Sequence, residues 1–515
     1  MKKSYIVASL CIIFFLSLFV FHKINLTTAD LGRHIENGKL FVHAGSAGIS
    51  RPALLHTNFF SYTNADFPFV NHHWGSGVLY YVIHYVTGFW GLSLVYGGCI
   101  ILATLVLLYI FREKVPLLAS VPIILFLTPL ITERTEVRPE GFSYLFLAII
   151  IALLYSYSKG SLEKKWLWAI PIISLLFVNM HIYFIFVPFI VGMFLLEALI
   201  RKDFGKSKTI GIVLGVSSLA LLLNPYGLSG VLYPFTIFQN YGYLVVENQS
   251  IHFLANYGIS NPNFLWWKIS TTILLGVGLF ILLKHRSKFP FSLFGIAAAF
   301  AVLSYLGIRH LSLYGLALLP FFLHYAEVLY RKPDDTEKRE NHMIVSVILS
   351  IFFLIVILVQ FGTHMPWGSD WGVGLKQGVN ASAEFFEKEK IEGPIFSNYD
   401  IGGYLIFHLY PQEKVFVDNR PEAYPAKFFE NEYKRMQEDH TIWDNELKKW
   451  DFNTIFFYRH DLTPWAQKFL IARIWDPEWA PVFVDDYTII FLRRNEESKD
   501  IIKKYELPKS MFSVK

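Results

Sequence analysis

The stretch FWGLSLVYGGCIILATLVLLYIFREKVPLLASVPIILFLTPLIT, residues 89–132, decides the fold of this chain. It consists of two long apolar runs, 89–111 and 115–132, separated only by the charged tripeptide REK. An apolar run of roughly 18 residues or more is long enough to cross a bilayer as a helix. The stretch therefore predicts two antiparallel membrane helices joined by a short basic loop.

The rest of the chain repeats this plan, so that eleven apolar segments are predicted to be membrane helices. Lysine and arginine concentrate in every second loop between them, on the same side as Lys2 and Lys3. The positive-inside rule then predicts a cytoplasmic N-terminus and an extracytoplasmic C-terminal region. The nine further segments run over residues 5–21, 140–157, 166–179, 182–200, 209–224, 265–283, 290–307, 311–330 and 343–361.

Composition agrees with a multi-pass protein of the inner (plasma) membrane. The chain is 54% hydrophobic and 17% charged, with a mean hydropathy of +0.40, which excludes an ordinary soluble protein. The net charge of +5 is the sum of a basic cytoplasmic rim and a mixed exterior, so no nucleic-acid partner is predicted. Cys11 and Cys99 both lie in apolar segments, which leaves the exterior without a disulfide.

The pattern predicts two domains, a membrane domain over residues 1–361 with a large outer loop at 23–87, and an extracytoplasmic α/β domain over 362–515. In the second domain, short β-rich runs alternate with helical patterns. Asp485 and Asp486 are predicted to turn a final hairpin. The predicted strands are 394–397, 414–417, 454–458, 481–484 and 487–492, and the predicted helices are 381–390, 403–409, 426–438, 442–450 and 464–474.

Asp30 is the first chemically notable residue of the outer loop, about nine residues beyond the first apolar segment. A carboxylate at a water–lipid boundary can act as a general base on an acceptor hydroxyl, or can bind a divalent cation that holds a phosphate. The alternative is that Asp30 caps a helix beginning at Leu31, where an apolar periodic pattern starts. The residues alone leave both roles open.

His34, His72 and His73 lie in the same loop as Asp30. Adjacent histidines in a helix or strand point in different directions, so only one of His72 and His73 is predicted to face a site. The alternative is an imidazole in the membrane interface beside Trp74.

Cationic and polar groups also gather at the predicted outer ends of the membrane helices. The motif Arg138-Pro139-Glu140 precedes one apolar segment, and Arg309-His310 precedes another. Arginine presents a planar fork that matches a phosphate, and a neighbouring glutamate can orient it. The alternatives are a helix start at Pro139, snorkelling and capping. The groups predicted at this depth are Arg138, Glu140, His181, Asn224, Arg309 and His310.

Several strings of this sequence resemble those of bacterial GT-C glycosyltransferases, relatives of protein O-mannosyltransferases and lipid A aminoarabinose transferases. The likeness begins in the outer loop, which is similar to the first outer loop of that superfamily. It continues in order over most of the chain, and resembles a poorly characterised branch. The strings are DLGRHIENG (30–38), NFFSYT (58–63), FVNHHW (69–74), RPE (138–140), NPYG (224–227), RH (309–310), GGYL (402–405) and VFVDNR (415–420).

The resemblance implies a membrane enzyme that takes a sugar from a polyprenyl-phosphate donor and passes it, with inversion, to an extracytoplasmic glycan, lipid or protein. In that superfamily an acid of the first outer loop serves as base or metal ligand, and Asp30 matches it. A divalent cation, Mg²⁺ or Mn²⁺, would then bind at Asp30, although Ala29 stands where many members carry a second acid. Arg138, Arg309 and His310 would bind the donor phosphate. The supporting residues would be His34, His72, His73, Glu140, His181 and Asn224.

Asp418, Arg420 and Tyr424 follow a predicted strand in the C-terminal domain, where loop residues commonly form binding sites. They are predicted to contact the acceptor, and the alternative is that they only close a turn.

Two other functions fit some of these features. A transporter or flippase of lipid-linked glycans would also need outward arginine and histidine, but no inverted repeat is visible and the charges lie away from the bilayer midplane. A non-catalytic component of envelope glycan assembly is the third hypothesis.

Overall fold

The computed structural model describes residues 2–45, 48–237, 241–330, 336–361 and 370–512. The chain forms two compact units, each built from separate stretches of sequence. We call them the helical unit and the mixed unit. The helical unit comprises residues 1–22, 93–231 and 245–373, and the mixed unit comprises 23–92, 232–244 and 374–515.

Helices dominate the described chain, and the strands lie near its C-terminal end. The strands are β1 (Ile395–Ser397), β2 (Thr454–Tyr458), β3 (Trp479–Val484) and β4 (Thr488–Arg493). In chain order the α-helices are α1 (Lys2–Val20), α2 (Leu31–Val42), α3 (Arg51–His56), α4 (Trp74–Tyr109), α5 (Leu117–Ile131), α6 (Glu140–Ser158), α7 (Ala169–Val178), α8 (Phe186–Ile200), α9 (Phe204–Ala220), α10 (Gly227–Leu232), α11 (Ile251–Asn256), α12 (Pro262–Lys284), α13 (Phe291–Leu306), α14 (Leu311–Tyr330), α15 (Thr336–Phe361), α16 (Ala381–Lys388), α17 (Gly402–Leu409), α18 (Arg435–Glu438), α19 (His440–Trp450), α20 (Pro464–Trp475) and α21 (Lys499–Tyr505).

Each of the eleven apolar segments predicted from sequence contains a helix. Within the described residues, six helical stretches are long and apolar enough to cross a membrane, and the number eleven stays a prediction. Three more apolar helices are shorter, at Ser9–Val20, Leu117–Ile131 and Phe291–Leu306. The six long stretches are Trp74–Tyr109, Glu140–Ser158, Ile182–Ile200, Pro262–Lys284, Ile308–Leu329 and Asn341–Gln360.

Close packing in the helical unit depends on small residues, as is usual between membrane helices. A Cβ atom added at Gly315 of α14 would lie 2.8 Å from the backbone nitrogen of Ile131 in α5, so the two helices approach closely there. Trp266 of α12 donates its indole N–H to the carbonyl of Phe126 in α5 at 2.5 Å. These contacts fix the end of α5, beyond which the arginine-rich segment of the site begins.

The mixed unit contains a four-stranded sheet in the order β1-β2-β4-β3. β1 and β2 are parallel, whereas β4 is antiparallel to both β2 and β3. Aromatic side chains fill its core, among them Phe396, Trp443 and Trp479, each at most 2% exposed. The turn predicted at Asp485 is present, because the Asp485 carboxylate accepts the backbone N–H groups of Tyr487 and Thr488 at 2.8 and 2.6 Å. The predicted α/β pattern of the C-terminal region is confirmed.

Two predicted elements of this region differ from the structure. Segment 414–417 is not a strand of the sheet; Val415 instead pairs with the outer loop, exchanging hydrogen bonds of 3.1 Å with the backbones of Phe60 and Tyr62. The partner segment lies about 350 residues earlier in the chain, which a local pattern cannot reveal. The predicted helix 426–438 is a π-helix, Phe428–Tyr433, followed by α18.

The division into units also differs from the predicted domain boundary between residues 361 and 362. That boundary adjoins residues 362–369, which lie outside the described chain. The outer loop predicted as part of the membrane domain packs with the C-terminal region in one compact unit. Hydrogen bonds of residues 58–63 to residues 415–423 hold them together.

Helix α2, which follows Asp30, is held on two sides by glycine contacts within the mixed unit. A Cβ atom at Gly38 would clash with the carbonyl oxygen of Gly77 at the start of α4. A Cβ atom at Gly32 would lie 2.7 Å from the carbonyl oxygen of Gly403 in α17. Real Cβ contacts are longer than this, so only glycine permits these crossings. The position of Asp30 is therefore fixed by backbone packing.

Candidate active site

A largely buried group of five charged side chains in the helical unit is the candidate phosphate site; its members are Arg134, Arg138, Glu140, Glu247 and Arg309. We call it the arginine cluster. Arg134 and Arg138 lie between α5 and α6, and Glu140 is the first residue of α6. Glu247 and Arg309 come from two short 3-10 helices, Val246–Asn248 and Ile308–His310. The cluster thus joins three chain segments that are distant in sequence.

Glu247 contacts all three arginines of the cluster. Its carboxylate accepts a hydrogen bond from Arg134 at 2.8 Å and two from one nitrogen of Arg138 at 3.1 and 3.2 Å. Arg309 forms an ion pair with it at 3.6 Å. Arg138 also donates at 2.7 Å to Glu136, whose side chain is 44% exposed. Glu247 is therefore the point on which the guanidinium groups converge.

Glu140 is the second carboxylate of the cluster and is more deeply buried than Glu247, at 3% against 18% exposure of the side chains. Arg309 donates to it at 3.1 Å, and Arg134 lies 3.6 Å away. The imidazole of His181 lies 3.9 Å from the other carboxylate oxygen and is hydrogen-bonded to Ser143 at 2.8 Å. Glu140 thereby orients Arg309. The sequence predicted that it orients its neighbour Arg138, whose described hydrogen bonds go to Glu136 and Glu247.

The electrostatics of the cluster stabilise anionic groups beside the arginines. Three guanidinium groups face the carboxylates of Glu140 and Glu247, and Arg138 also pairs with the exposed Glu136, so the formal charges of this group are balanced. Burial by itself would raise the pKa of Glu247, but Arg134, Arg138 and Arg309 lower it well below its usual value. Helices α6 and α14 also begin at the cluster, and helix N-termini attract negative charge.

The structure places the other predicted residues of the helical unit in different roles. His310 is hydrogen-bonded to the carbonyl of Gly307 at 3.1 Å, and its ring lies 5.5 Å from that of Tyr183. Arg309 donates to the same Tyr183 hydroxyl at 3.3 Å, so His310 borders the cluster. Asn224 makes only local hydrogen bonds among those described, closing the turn before α10 through Leu221, Tyr226 and Gly227.

Asp30 in the mixed unit stands at the N-cap position of α2, yet its side chain makes no capping hydrogen bond. The capping alternative therefore loses its main support. Asp30 is half-buried and lies close to Arg33 in the first turn of α2. Burial lowers the pKa of Arg33, and the carboxylates of Asp30, Asp418 and Glu422 oppose that lowering. Asp30 is thus a carboxylate paired electrostatically with a buried cation.

The three predicted histidines come together beside α2. The ring of His34 lies 5.1 Å from that of His73, and the rings of His72 and His73 are 3.6 Å apart. Among the described residues, no group of three or more His, Cys, Asp or Glu side chains is arranged to hold a metal ion. Within the described residues no set of three such ligands includes Asp30, and a divalent cation there stays a prediction.

Asp418, Arg420 and Tyr424 form a buried hydrogen-bonded network, each at most 3% exposed. Arg420 holds Asp418 with two hydrogen bonds of 2.6 and 2.7 Å, and Tyr424 donates to the same carboxylate at 3.1 Å. Arg420 also donates to Asn58 of the outer loop at 2.6 Å and lies 4.7 Å from the ring centre of Phe69. This burial favours the alternative that the three residues close a turn.

Sequence reasoning missed the roles of Glu247, Arg134 and Arg33. Glu247 is the only acidic residue between Pro225 and Asn263, and a lone acid in a long outer loop was the available signal. Arg134 was visible beside Arg138 in the same charged segment, but its position in the cluster depends on tertiary contacts.

Comparison with solved structures shows that this chain shares its fold with an oligosaccharyltransferase and with ArnT. By sequence, the chain matches neither a protein-family model nor a curated protein. By structure it is similar to the archaeal oligosaccharyltransferase AglB from Archaeoglobus fulgidus, in complex with an inhibitory peptide and a dolichol-phosphate. The identity is 13% and the TM-score 0.61, over 94% of this chain and 74% of that one.

A second similar structure is ArnT from Cupriavidus metallidurans bound to undecaprenyl phosphate. The identity is again 13%, with a TM-score of 0.53 over 95% of this chain and 98% of that chain. Both neighbours are GT-C superfamily members, which confirms the resemblance inferred from the outer-loop strings. At this identity the likeness establishes the fold, and it leaves the activity to be argued from the site.

Proposed function

We propose that the protein is a membrane glycosyltransferase that moves a sugar from a polyprenyl-phosphate donor to an acceptor outside the cytoplasm. The observation that carries the proposal is the arginine cluster, with three largely buried guanidinium groups and two helix N-termini around two carboxylates. Such a site suits a phosphate, because arginine forks match its oxygens. The GT-C fold supports a lipid-linked phosphate, since the neighbours named above were solved with dolichol-phosphate and undecaprenyl phosphate.

In the proposed reaction, the bond between the anomeric carbon and the phosphate oxygen breaks, and its electron pair stays on the phosphate. The acceptor hydroxyl oxygen bonds to the anomeric carbon from the opposite face, with inversion. Arg138 and Arg309 stabilise the negative charge that develops on the leaving phosphate. Asp30 takes the proton of the acceptor hydroxyl. The sugar and the acceptor remain open.

Arg138→Lys tests the phosphate role, because lysine keeps the charge but loses the fork. We expect about 10-fold weaker binding of undecaprenyl phosphate, in line with the loss of one charge-assisted hydrogen bond. Calorimetric titration of the full chain in detergent gives the dissociation constant.

Arg201→Lys is the matched control for this substitution. Arg201 is also in the helical unit and also pairs with a glutamate, Glu197, at 2.8 Å. The Arg201→Lys protein should bind undecaprenyl phosphate as tightly as the native chain does. Equal loss in both variants, or unchanged binding in Arg138→Lys, would contradict a phosphate site at the arginine cluster.

The proposed orientation places the N-terminus in the cytoplasm and the C-terminal region outside it, as the alternation of basic loops indicates. A dual reporter fused after Lys515 should show periplasmic-type activity, and the same reporter inserted at Gly160 should show cytoplasmic activity. The opposite pattern would place the arginine cluster on the cytoplasmic side and would exclude an extracytoplasmic acceptor.

A further inference from the structure

The position of Glu247 suggests a second role for the loop that carries it. Its carboxylate lies at the convergence of the three guanidinium groups, with contacts of 2.8 Å to Arg134, 3.1 Å to Arg138 and 3.6 Å to Arg309. Forked guanidinium donors recognise carboxylate and phosphate oxygens in the same way. The carboxylate thus occupies the place that best suits a phosphate group.

A phosphate and this carboxylate cannot share the site at low cost. Two anions within about 4 Å repel each other strongly in a partly buried environment. The donor phosphodiester carries one negative charge, as does ionised Glu247, so replacing one by the other preserves the charge of the cluster. An exchange is therefore electrostatically balanced, whereas joint occupancy is not.

The two glutamates of the cluster differ in how firmly the chain holds them. Glu140 is the first residue of the long helix α6 and is 3% exposed. Glu247 lies in a three-residue 3-10 helix within a long loop. Its segment is attached by a hydrogen bond from Arg309 to Asn248 at 3.1 Å and one from the Ile308 backbone to Gln249 at 3.3 Å. Apart from its ion pairs with the three arginines, which a phosphate would replace, displacing Glu247 breaks few contacts. Displacing Glu140 would disrupt a helix.

We propose that Glu247 competes with the donor phosphate for the arginine cluster, so that the segment 246–249 leaves the arginines when the donor binds and returns when the product lipid departs. Glu140 stays in place and keeps Arg309 oriented throughout. The loop is then a gate that opens to an anion of the right charge. This inference rests on the proposed function, because it assumes that the anion is a lipid-linked phosphate.

Glu247→Gln is the direct test, since glutamine keeps the shape and loses the charge. Binding of undecaprenyl phosphate to the full chain should become roughly 10-fold tighter, because one opposing charge is removed from the site. Glu136→Gln is the matched control: Glu136 also contacts Arg138, but its side chain is 44% exposed, so we expect a change of less than about 3-fold.

A reversible tether keeps the test decisive if Glu247→Gln does not fold. The double substitution Gln249→Cys and Ile308→Cys joins the two segments where their backbones are hydrogen-bonded. The oxidised protein should bind undecaprenyl phosphate at least about 10-fold more weakly than the reduced protein, because the tether holds Glu247 on the arginines. Treatment with a reductant should restore binding.

The outcomes separate this inference from the proposed function. The gate is overturned if a folded Glu247→Gln protein binds undecaprenyl phosphate more weakly or equally well, or if the oxidised and reduced tethered proteins bind it equally. The proposed function survives either result as long as Arg138→Lys still weakens binding. If neither Arg138→Lys nor Glu247→Gln alters binding, both the phosphate site at the arginine cluster and the gate are overturned.

Discussion

Replacing Asp30 by Asn should abolish sugar transfer and leave donor binding unchanged. Asparagine has the same size, and no side-chain capping bond of Asp30 to α2 is lost. A general base contributes about 100-fold or more to the rate, so transfer should fall by at least that factor. The measurement is transfer from a polyprenyl-phosphate-linked sugar by membranes that contain equal amounts of each variant.

Asp66→Asn is the control for Asp30→Asn, because Asp66 is the only other aspartate between Lys23 and Thr87 and is exposed. It should retain full transfer. Near-normal activity of a folded Asp30→Asn protein would exclude Asp30 as the base. If the native chain itself binds the lipid but transfers no sugar, the flippase or the non-catalytic alternative is favoured.

Replacing Asp418 by Asn should destabilise the mixed unit by roughly 3–5 kcal/mol, the usual cost of leaving one partner of a buried ion pair without its counter-charge. Arg420 is 2% exposed, and its guanidinium donates two hydrogen bonds to that carboxylate. Burial by itself would lower the pKa of Arg420, but Asp418 raises it above the usual value, so the guanidinium stays charged. Thermal unfolding followed by tryptophan fluorescence should report the change, since Trp443 and Trp479 lie in the same unit's core.

A double-mutant cycle separates the ion pair from general damage. Adding Arg420→Met to Asp418→Asn should recover part of the lost stability, because the unpaired charge is then removed. Glu506→Gln is the matched control, since Glu506 pairs with Arg494 at the surface and its loss should cost less than about 1 kcal/mol. A loss for Asp418→Asn as small as that of the control would show that the pair contributes little.

The candidate site shows where sequence reasoning is effective and where it stops. Arg138, Glu140 and Arg309 were predicted as a group because charged residues at the ends of apolar segments are unusual and costly. Glu247 was not, although it contacts all three arginines, because its partners Arg134 and Arg138 lie 113 and 109 residues away. Asp418 and Arg420 were predicted to face an acceptor, whereas the structure buries them against Asn58.

By itself, the sequence determined the apolar helices and the α/β pattern of the C-terminal region. Both follow from local periodicity and apolar length, which act within about 20 residues and need no distant partner. Only the tertiary structure decided that Val415 pairs with the outer loop and that Glu247 contacts the arginines. It also decided that Gly32 and Gly38 hold α2, the helix that follows Asp30. These are contacts between segments far apart in the chain, and their geometry depends on how the whole unit packs.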